Sequence, residues 1–167
     1  GSLVNFNNLL GIEEELVEIE NKFKHVVFHF ICRELKPIKL KRFKQFKWGD
    51  DGFDYHKSIS QFDIGLSPMT TASERDKAKT AFKTLEYMAS GVSFVTSPWG
   101  ISDKLEDEEN CLFALSNEEW LNQLERLIVD KYLRKKIGVQ GRKTLEKWHS
   151  YDEVYPQLKR TLSSGGE

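Results

Sequence analysis

The sequence of 167 residues contains only two cysteines, Cys32 and Cys111, which lie far apart within apolar runs. This usage predicts two reduced core residues and argues against a disulfide or a cysteine-bound metal. No apolar run approaches the roughly 18 residues that a membrane-spanning helix needs, and no segment resembles a signal peptide. We therefore expect a cytoplasmic protein.

The sequence also lacks an excess of charge of either sign. Its 25 lysines and arginines balance 26 aspartates and glutamates, for a formal net charge of −1, so no global field attracts nucleic acid or an anionic membrane. The basic stretch Lys36–Lys47 interleaves charged with apolar residues, which favours a strand with one exposed face over a nucleic-acid-binding arm. No nucleic-acid partner is expected.

Residue types that bind metals are present, but not in a metal-binding pattern. The acidic stretches Asp50–Asp51 and Asp103–Glu109 are typical of solvated loops, and no Asp-x-Asp motif occurs. The four histidines show no ligand spacing, and His29 alternates within a predicted strand, which favours a packing role. No metal cofactor is expected.

Helical and strand patterns alternate along the chain. Apolar runs such as VVFHFIC (26–32) predict strands covered on both faces. Strands are predicted at Val26–Cys32, Arg42–Trp48, 62–67, Val92–Thr96 and Cys111–Ala114. Helices are predicted at Asn8–Lys24, Tyr55–Ser60, 77–90, Ile101–Leu105, 116–130, Lys131–Trp148 and 150–162. The helix Lys131–Trp148 is expected to be interrupted around its two glycines, Gly138 and Gly141.

Capping residues mark several of these helix ends. Gly91 occupies the usual C′ position after the helix 77–90. Ser116 with Glu119 forms a capping box at the start of one helix, and Ser150 with Glu153 marks the start of the last one. These residues fix the predicted boundaries more firmly than the apolar pattern alone.

Strands that alternate with helices imply right-handed crossovers and a parallel sheet with helices on both faces. The sequence therefore predicts one Rossmann-like α/β domain over residues 3–163, closed by C-terminal helices. Gly1-Ser2 resembles an expression scar, residues 164–167 are expected to form a disordered tail, and the missing initiator methionine suggests a piece of a longer protein. Ligands of such sheets bind beyond the carboxyl ends of the strands, here at Ser67–Ala78 and Ser97–Ser102.

The helix predicted at 77–90 carries Lys79, Lys83 and Glu86 at i, i+4 and i+7, on one stripe. Lysines near a helix N-terminus meet partial positive charge, so an anion is needed to make them favourable there. One interpretation is a solvated face with a weak Lys83–Glu86 pair, worth about a few tenths of a kcal/mol at most. The other is a diphosphate bound at the helix start, with Glu86 accepting hydrogen bonds from two ribose hydroxyls. The residues alone leave both interpretations open.

Four motifs follow one another between Phe62 and about Trp148. They are a strand end DIGLSP (63–68), a helix KTAFKTLEYMASG (79–91), the apolar strand VSFVT (92–96) and a later helix opening EEW (118–120). In these motifs and their order, the stretch resembles the C-terminal half of a two-Rossmann-domain (GT-B) glycosyltransferase of the family 4, or group 1, type.

The resemblance implies binding of a nucleoside-diphosphate sugar, without a metal, and transfer of the sugar to an acceptor hydroxyl with retention. Catalytic and acceptor-binding residues of such enzymes lie largely in an N-terminal domain, so this piece is expected to be inactive alone and to have that domain as its partner. Through that domain we expect contact with an acceptor at the inner membrane face. A role in polysaccharide biosynthesis is the common use of the group.

The resemblance also assigns roles to individual residues. It makes Glu86 the ribose-binding carboxylate and places Lys79 and Lys83 toward the phosphates. The backbone amides of Ala81, Phe82 and Thr84, at the helix start, are further donor-binding candidates, and Ser67, Pro68 and Met69 are expected to form the crevice floor after the strand. Trp48 is expected to border the base, although it could also be a packing aromatic. No catalytic residue is assigned within the chain.

The sequence departs from the family pattern at two points. Many members have a second glutamate, separated from the ribose-binding one by seven intervening residues, but Ala78 stands there. Either Glu74 reaches in from the loop or a lysine takes its place. The family's glycine-containing stretch with basic phosphate ligands, near the start of the domain, is not evident. The contacts to the sugar itself are therefore left open.

Two other functions remain possible from the sequence. A sugar-nucleotide epimerase can share this two-domain fold. A non-catalytic α/β binding or scaffold domain is the other alternative, although a receiver-like domain is disfavoured because Asp63 lies at the start of its strand rather than at the carboxyl end. Product analysis separates the first alternative, and nucleotide titration separates the second.

Overall fold

The computed structural model describes residues 3–47, 52–69, 82–99 and 103–164. Helices α1 to α7 are Leu3–Leu10, Glu13–Lys22, Tyr55–Ile59, Phe82–Ser90, Asn117–Val129, Lys131–His149 and Tyr151–Ser164. Strands β1 to β5 are Phe28–Ile31, Phe43–Phe46, Ile64–Ser67, Ser93–Thr96 and Leu112–Phe113. In these residues, no helix is both long and apolar enough to cross a membrane.

The predicted parallel α/β architecture, with helices on both sides of the strands, is confirmed. β1 pairs with β2 in parallel, with Phe28 opposite Phe43. β3, β4 and β5 form a second parallel ladder, in which β4 lies in the middle. All four residues of β4 are buried, as the apolar run predicted for this strand.

The prediction that the first strand is covered on both faces is wrong. In β1, Phe28 is buried, but the side chain of His29 on the opposite face is exposed. The ring of His29 packs against the rings of Phe46 and Phe62, with centroids 5.3 and 5.5 Å away. These two aromatic rings cover only part of this face, so its burial is incomplete.

The predicted helix Asn8–Lys24 is in fact two helices, α1 and α2. They separate at Ile12, whose φ of −121° lies outside the helical range. The amide of Ile12 donates to the carbonyl of Leu9 at 3.1 Å, a tighter turn than an α-helix makes. This bend places the Ile12 side chain fully inside the core, so tertiary burial decides the break.

The predicted interruption of α6 around its glycines is also wrong, because α6 runs unbroken through both of them. A Cβ atom at Gly138 would overlap the carbonyl oxygen of Gly91, which follows the last residue of α4. One at Gly141 would lie 3.3 Å from the carbonyl oxygen of Asn110 and 3.4 Å from Cγ of Met88. The glycines therefore allow α6 to pack closely on α4.

Two of the three capping predictions are confirmed. The Ser150–Glu153 box stays a prediction, because the Glu153 amide donates to the Ser150 carbonyl oxygen at 3.2 Å, a backbone contact that involves neither side chain. Gly91 has a φ of +65°, the left-handed conformation expected of a C′ glycine, and the Ser116–Glu119 capping box is formed. In the predicted helix Ile101–Leu105, only 103–105 are described, and they form a turn and an irregular segment. The last helix extends to Ser164, into the predicted tail.

The core joins the two ladders through a cluster that includes Leu16, Ile19, Phe28, Val95 and Leu112. A second cluster, around Met88, Phe94 and Cys111, lies between α4 and α6. Both cysteines are free thiols, as predicted. Cys111 is fully buried, whereas Cys32 is only partly buried.

We expect the Gly138→Ala substitution to destabilise the protein by about 2 kcal/mol, because the new methyl group overlaps backbone that has little room to move. In an ordinary helix the same change stabilises by about 0.5–1 kcal/mol, so the sign is diagnostic. Chemical denaturation measures the free energy of unfolding. Lys135→Ala, at an exposed position of α6, is the control and should change it by less than about 0.5 kcal/mol. A stabilised Gly138→Ala variant would contradict the close packing.

Candidate functional site

The carboxyl ends of β1 and β3 and the first turns of α4 open onto one cavity of about 870 Å³. Apolar side chains of the helices line it, among them Leu16, Ile19 and Leu124. Charged and polar side chains line it as well; those that follow β1 or lie on α3 and α4, which we call its polar end, are Arg33, Glu34, Tyr55, Lys83 and Glu86. The carboxyl ends of parallel strands are where α/β domains bind their ligands.

Helix α4 presents Lys83 and Glu86 to this cavity while its opposite side packs into the core. Lys83 and Glu86 are partly buried, and both line the cavity. Thr84 and Met88, on the other side of the helix, are fully buried. The two charged residues of the predicted stripe therefore share one cavity wall. Lys79, the third residue of the stripe, lies outside the described residues.

The surroundings of Lys83 disfavour its charged form. Burial lowers the pKa of Lys83 below the ordinary lysine value, and the nearby Glu86 carboxylate acts in the opposite direction but does not cancel the effect. A desolvated ammonium group gains most from an additional negative charge. This wall of the cavity is therefore suited to an anionic ligand.

Glu86 is held by a hydrogen bond from another part of the chain. The hydroxyl of Tyr55, the first residue of α3, donates to Oε2 of Glu86 at 2.5 Å. Burial, followed by the hydrogen bond to Glu86, raises the pKa of Tyr55 above its usual range. The phenol therefore remains a donor to this carboxylate.

The next residue, Tyr87, fixes α4 against β3. Its hydroxyl donates to the carbonyl oxygen of Leu66 at 3.1 Å, and burial is the main reason that its pKa rises to about 12. Its ring lies over Gly65, where an added Cβ atom would come within 2.6 Å of the ring. The position of Glu86 in the cavity thus depends on the absence of a side chain at Gly65.

The residues predicted as the crevice floor follow β3. Ser67 ends the strand, and its carbonyl oxygen accepts hydrogen bonds from the Ser97 amide and from the Thr96 hydroxyl, both at 3.3 Å. The Met69 amide donates to Oγ of Ser97 at 2.9 Å. Pro68, between them, lines the cavity. These hydrogen bonds fix the loop start next to β4.

Of the remaining donor-binding candidates, Phe82 and Thr84 lie within the described residues. Phe82 lines the cavity and is 70% exposed at the start of the described part of α4. Thr84 is fully buried, so its side chain faces the core. Outside the described residues lie Trp48, Glu74, Lys79 and Ala81.

Sequence reasoning missed two residues of the polar end, Arg33 and Tyr55. Arg33 is exposed and lines the cavity two residues after the end of β1. Its position was readable, because a cation that follows a predicted parallel strand shares an edge with the other strand ends. For Tyr55 there was no such signal, since it lies 31 residues from Glu86 in the sequence.

Within the described ranges, no group of three or more His, Cys, Asp and Glu side chains could hold a metal ion. The expectation that the ligand binds without a metal stays a prediction. The described cavity wall offers ammonium, guanidinium, carboxylate and phenol groups instead. Such a set can hold an anion and hydroxyl groups at adjacent positions.

Comparison with known proteins identifies the family. A family model described as glycosyl transferase-like matches residues 15–160. The solved C-terminal domain of a group 1 family glycosyl transferase (LpcC) from Francisella tularensis is similar, with a TM-score of 0.71 and 18% sequence identity, covering 90% of this chain and 83% of that one. At this identity the likeness shows the fold. A comparison with curated proteins finds no match. The chain belongs to the glycosyl transferase-like family and has the fold of a GT-B C-terminal domain.

Proposed function

We propose that this chain is the donor-binding domain of a retaining glycosyltransferase that uses a nucleoside-diphosphate sugar and glycosylates an acceptor hydroxyl. The observation that carries the proposal is the joint exposure of Lys83 and Glu86 to one cavity at the strand termini. An anion site and a hydroxyl-binding carboxylate one helical turn apart match the two halves of a nucleoside diphosphate. Family membership supports the choice of this ligand class.

The ribose half would bind to Glu86. An ionised carboxylate has roughly four acceptor positions, and the Tyr55 hydroxyl uses one of them on Oε2. The others can accept hydrogen bonds from two neighbouring hydroxyl groups. A pentose with adjacent hydroxyls fits this arrangement better than a second anion, which the carboxylate would repel.

The diphosphate half would bind between Lys83 and Arg33. Both side chains line the polar end of the cavity, one from α4 and the other from the end of β1. The diphosphate would stabilise the charged form of Lys83, which burial disfavours. Lys79 and the backbone amides of Ala81, Phe82 and Thr84 remain proposed members of this phosphate site.

The chemical contribution of the domain would be electrostatic. Negative charge builds up on the leaving nucleoside diphosphate as its bond to the sugar breaks, and preorganised cations stabilise that charge in the transition state. Lys83 and Arg33 can supply this stabilisation, while Glu74 is the proposed contact to the sugar. The acceptor, the catalytic groups and any approach to the inner membrane face are assigned to an N-terminal partner domain.

We expect Glu86→Ala to weaken binding of the preferred nucleotide among UDP, GDP and ADP by about tenfold to a hundredfold. The reason is the loss of hydrogen bonds to a charged acceptor, each worth about 1.5–3 kcal/mol. Isothermal titration calorimetry with the three nucleotides measures the affinity. Glu118→Ala removes an exposed carboxylate at the start of α5 and is the matched control, with unchanged affinity.

Unchanged affinity of the Glu86→Ala variant would remove Glu86 from the site. No binding of any nucleotide by the original chain would favour the scaffold alternative. The epimerase alternative uses the same nucleotide contacts, so it is tested on the protein joined to its N-terminal domain. A free isomerised sugar nucleotide as the product would replace the transferase proposal.

Nucleotide affinity should also depend on the protonation of Lys83. Since burial lowers the pKa of Lys83, its ammonium loses the proton at a lower pH than an ordinary lysine, and the diphosphate loses a counterion there. Affinity should therefore fall as the pH rises toward about 10, the usual lysine range. Lys83→Arg, whose guanidinium stays charged, should flatten this fall in calorimetric titrations. Lys135→Arg, an exposed substitution on α6, controls for general effects of arginine. If the nucleotide affinities of the original chain and of the Lys83→Arg variant depend on pH in the same way, Lys83 is excluded from the phosphate site.

A further inference from the structure

We propose that Tyr55 is a positioning residue of the nucleotide site, which orients the Glu86 carboxylate toward the two adjacent hydroxyls of the ribose. This inference rests on the proposed function, because it names the residue that prepares the same site for its ligand. It predicts a selectivity for nucleoside diphosphates with an intact ribose diol. Tyr55 acts through Glu86 in this account.

The geometry ties together two helices that are distant in sequence. The Tyr55 hydroxyl donates to Oε2 of Glu86 at 2.5 Å, and α3 packs against α4. Both side chains are partly buried and line the polar end of the cavity. The hydrogen bond therefore lies at the surface of the cavity, where it restricts the orientation of the carboxylate.

Local contacts stabilise the helices at both ends of this hydrogen bond. On the α3 side, Oδ1 of Asp54 caps the helix by accepting from the Lys57 amide at 2.9 Å. On the α4 side, the residue after Glu86 is Tyr87, whose hydroxyl is bound to the Leu66 carbonyl at 3.1 Å. The cap stabilises the start of α3, where Tyr55 lies, and the Tyr87 hydrogen bond ties α4 to β3. Helix α4 therefore cannot shift along β3 without losing that bond, and Glu86 is held with it.

A held carboxylate binds hydroxyl groups more tightly than a mobile one. Glutamate side chains have many rotamers, and immobilising one at the moment of binding opposes affinity. The hydroxyl of Tyr55 remains protonated well into the alkaline range, because burial and Glu86 raise its pKa. It thus keeps Oε2 occupied, and the remaining acceptor positions stay directed at the cavity.

The same contact permits an opposite account, in which the Tyr55 hydroxyl occupies the place of a ribose hydroxyl and the ligand must displace it. The two accounts differ in sign. If Tyr55 positions Glu86, removing the hydroxyl weakens binding of a ribose diol. If it competes with the ligand, removing the hydroxyl strengthens that binding.

A thermodynamic cycle separates positioning from a general structural role. The original chain and its Tyr55→Phe variant are titrated with UDP, GDP or ADP, whichever binds most tightly, and with the 2′,3′-dideoxy form of that nucleotide. Tyr55→Phe should weaken the ribose form by about fivefold to tenfold, the usual value of one hydrogen bond, and the dideoxy form by less than about twofold. In a Glu86→Ala background, Tyr55→Phe should have no further effect, because residues that act as a unit are non-additive.

Tyr132→Phe is the matched control. It deletes the same atom from a tyrosine of α6 that is exposed and does not line the cavity. It should leave the affinities for the ribose and dideoxy nucleotides unchanged. The difference between the two Tyr→Phe variants therefore isolates the effect that passes through Glu86.

A second measurement needs no substitution. In the chain with ¹³Cζ-labelled tyrosine, positioning predicts that the Tyr55 signal keeps its hydrogen-bonded shift when the nucleotide binds. Loss of that shift, tighter binding by Tyr55→Phe, or equal weakening of both nucleotide forms would each overturn the inference. If Glu86→Ala weakens binding while Tyr55→Phe does not, only this inference fails. If no nucleotide binds, or if Glu86→Ala binds unchanged, the proposed function fails together with it.

Discussion

The close approach of α6 to the end of α4 is the constraint on which the rest of this structure depends. At Gly138 the two backbones meet with no room for a side chain, and Gly141 allows Met88 of α4 to pack beneath α6. On the strand side, the ring of Tyr87 lies directly over Gly65. Helix α4 is thus held from two directions, and the orientation of its cavity face follows from these contacts.

Helix α4 places two partly buried charged residues, Lys83 and Glu86, at the cavity, where each lacks part of its hydration. A partly buried lysine loses hydration, and a partly buried carboxylate needs donors for its oxygens. Tyr55 supplies one donor to Glu86, while Lys83 keeps a lowered pKa and an open cavity in front of it. A diphosphate joined to a pentose would supply a counterion to Lys83 and hydroxyl donors to Glu86. The account therefore explains the composition of the site as well as its position in a glycosyl transferase-like domain.

Local rules sufficed for the elements whose signals are local. The buried strand β4 and the Ser116–Glu119 capping box were predictable because their patterns lie within a few residues. The continuity of α6 was not predictable, because the role of Gly138 depends on its contact with Gly91, which lies 47 residues earlier in the chain. The Tyr55–Glu86 contact was invisible for the same reason. Arg33 could have been found from the sequence, because it directly follows the predicted strand Val26–Cys32, and ligands bind beyond the carboxyl ends of such strands.

The central claim is that the polar end of this cavity binds a nucleoside diphosphate. The most direct test is a titration of the isotopically labelled chain with UDP, GDP and ADP, followed by two-dimensional NMR of the backbone amides. The account predicts that at least one nucleotide shifts the signals of Arg33, Tyr55, Lys83 and Glu86 together, in a saturable manner. Saturable shifts that leave these four residues unchanged, or no shifts with any of the three nucleotides, would contradict it.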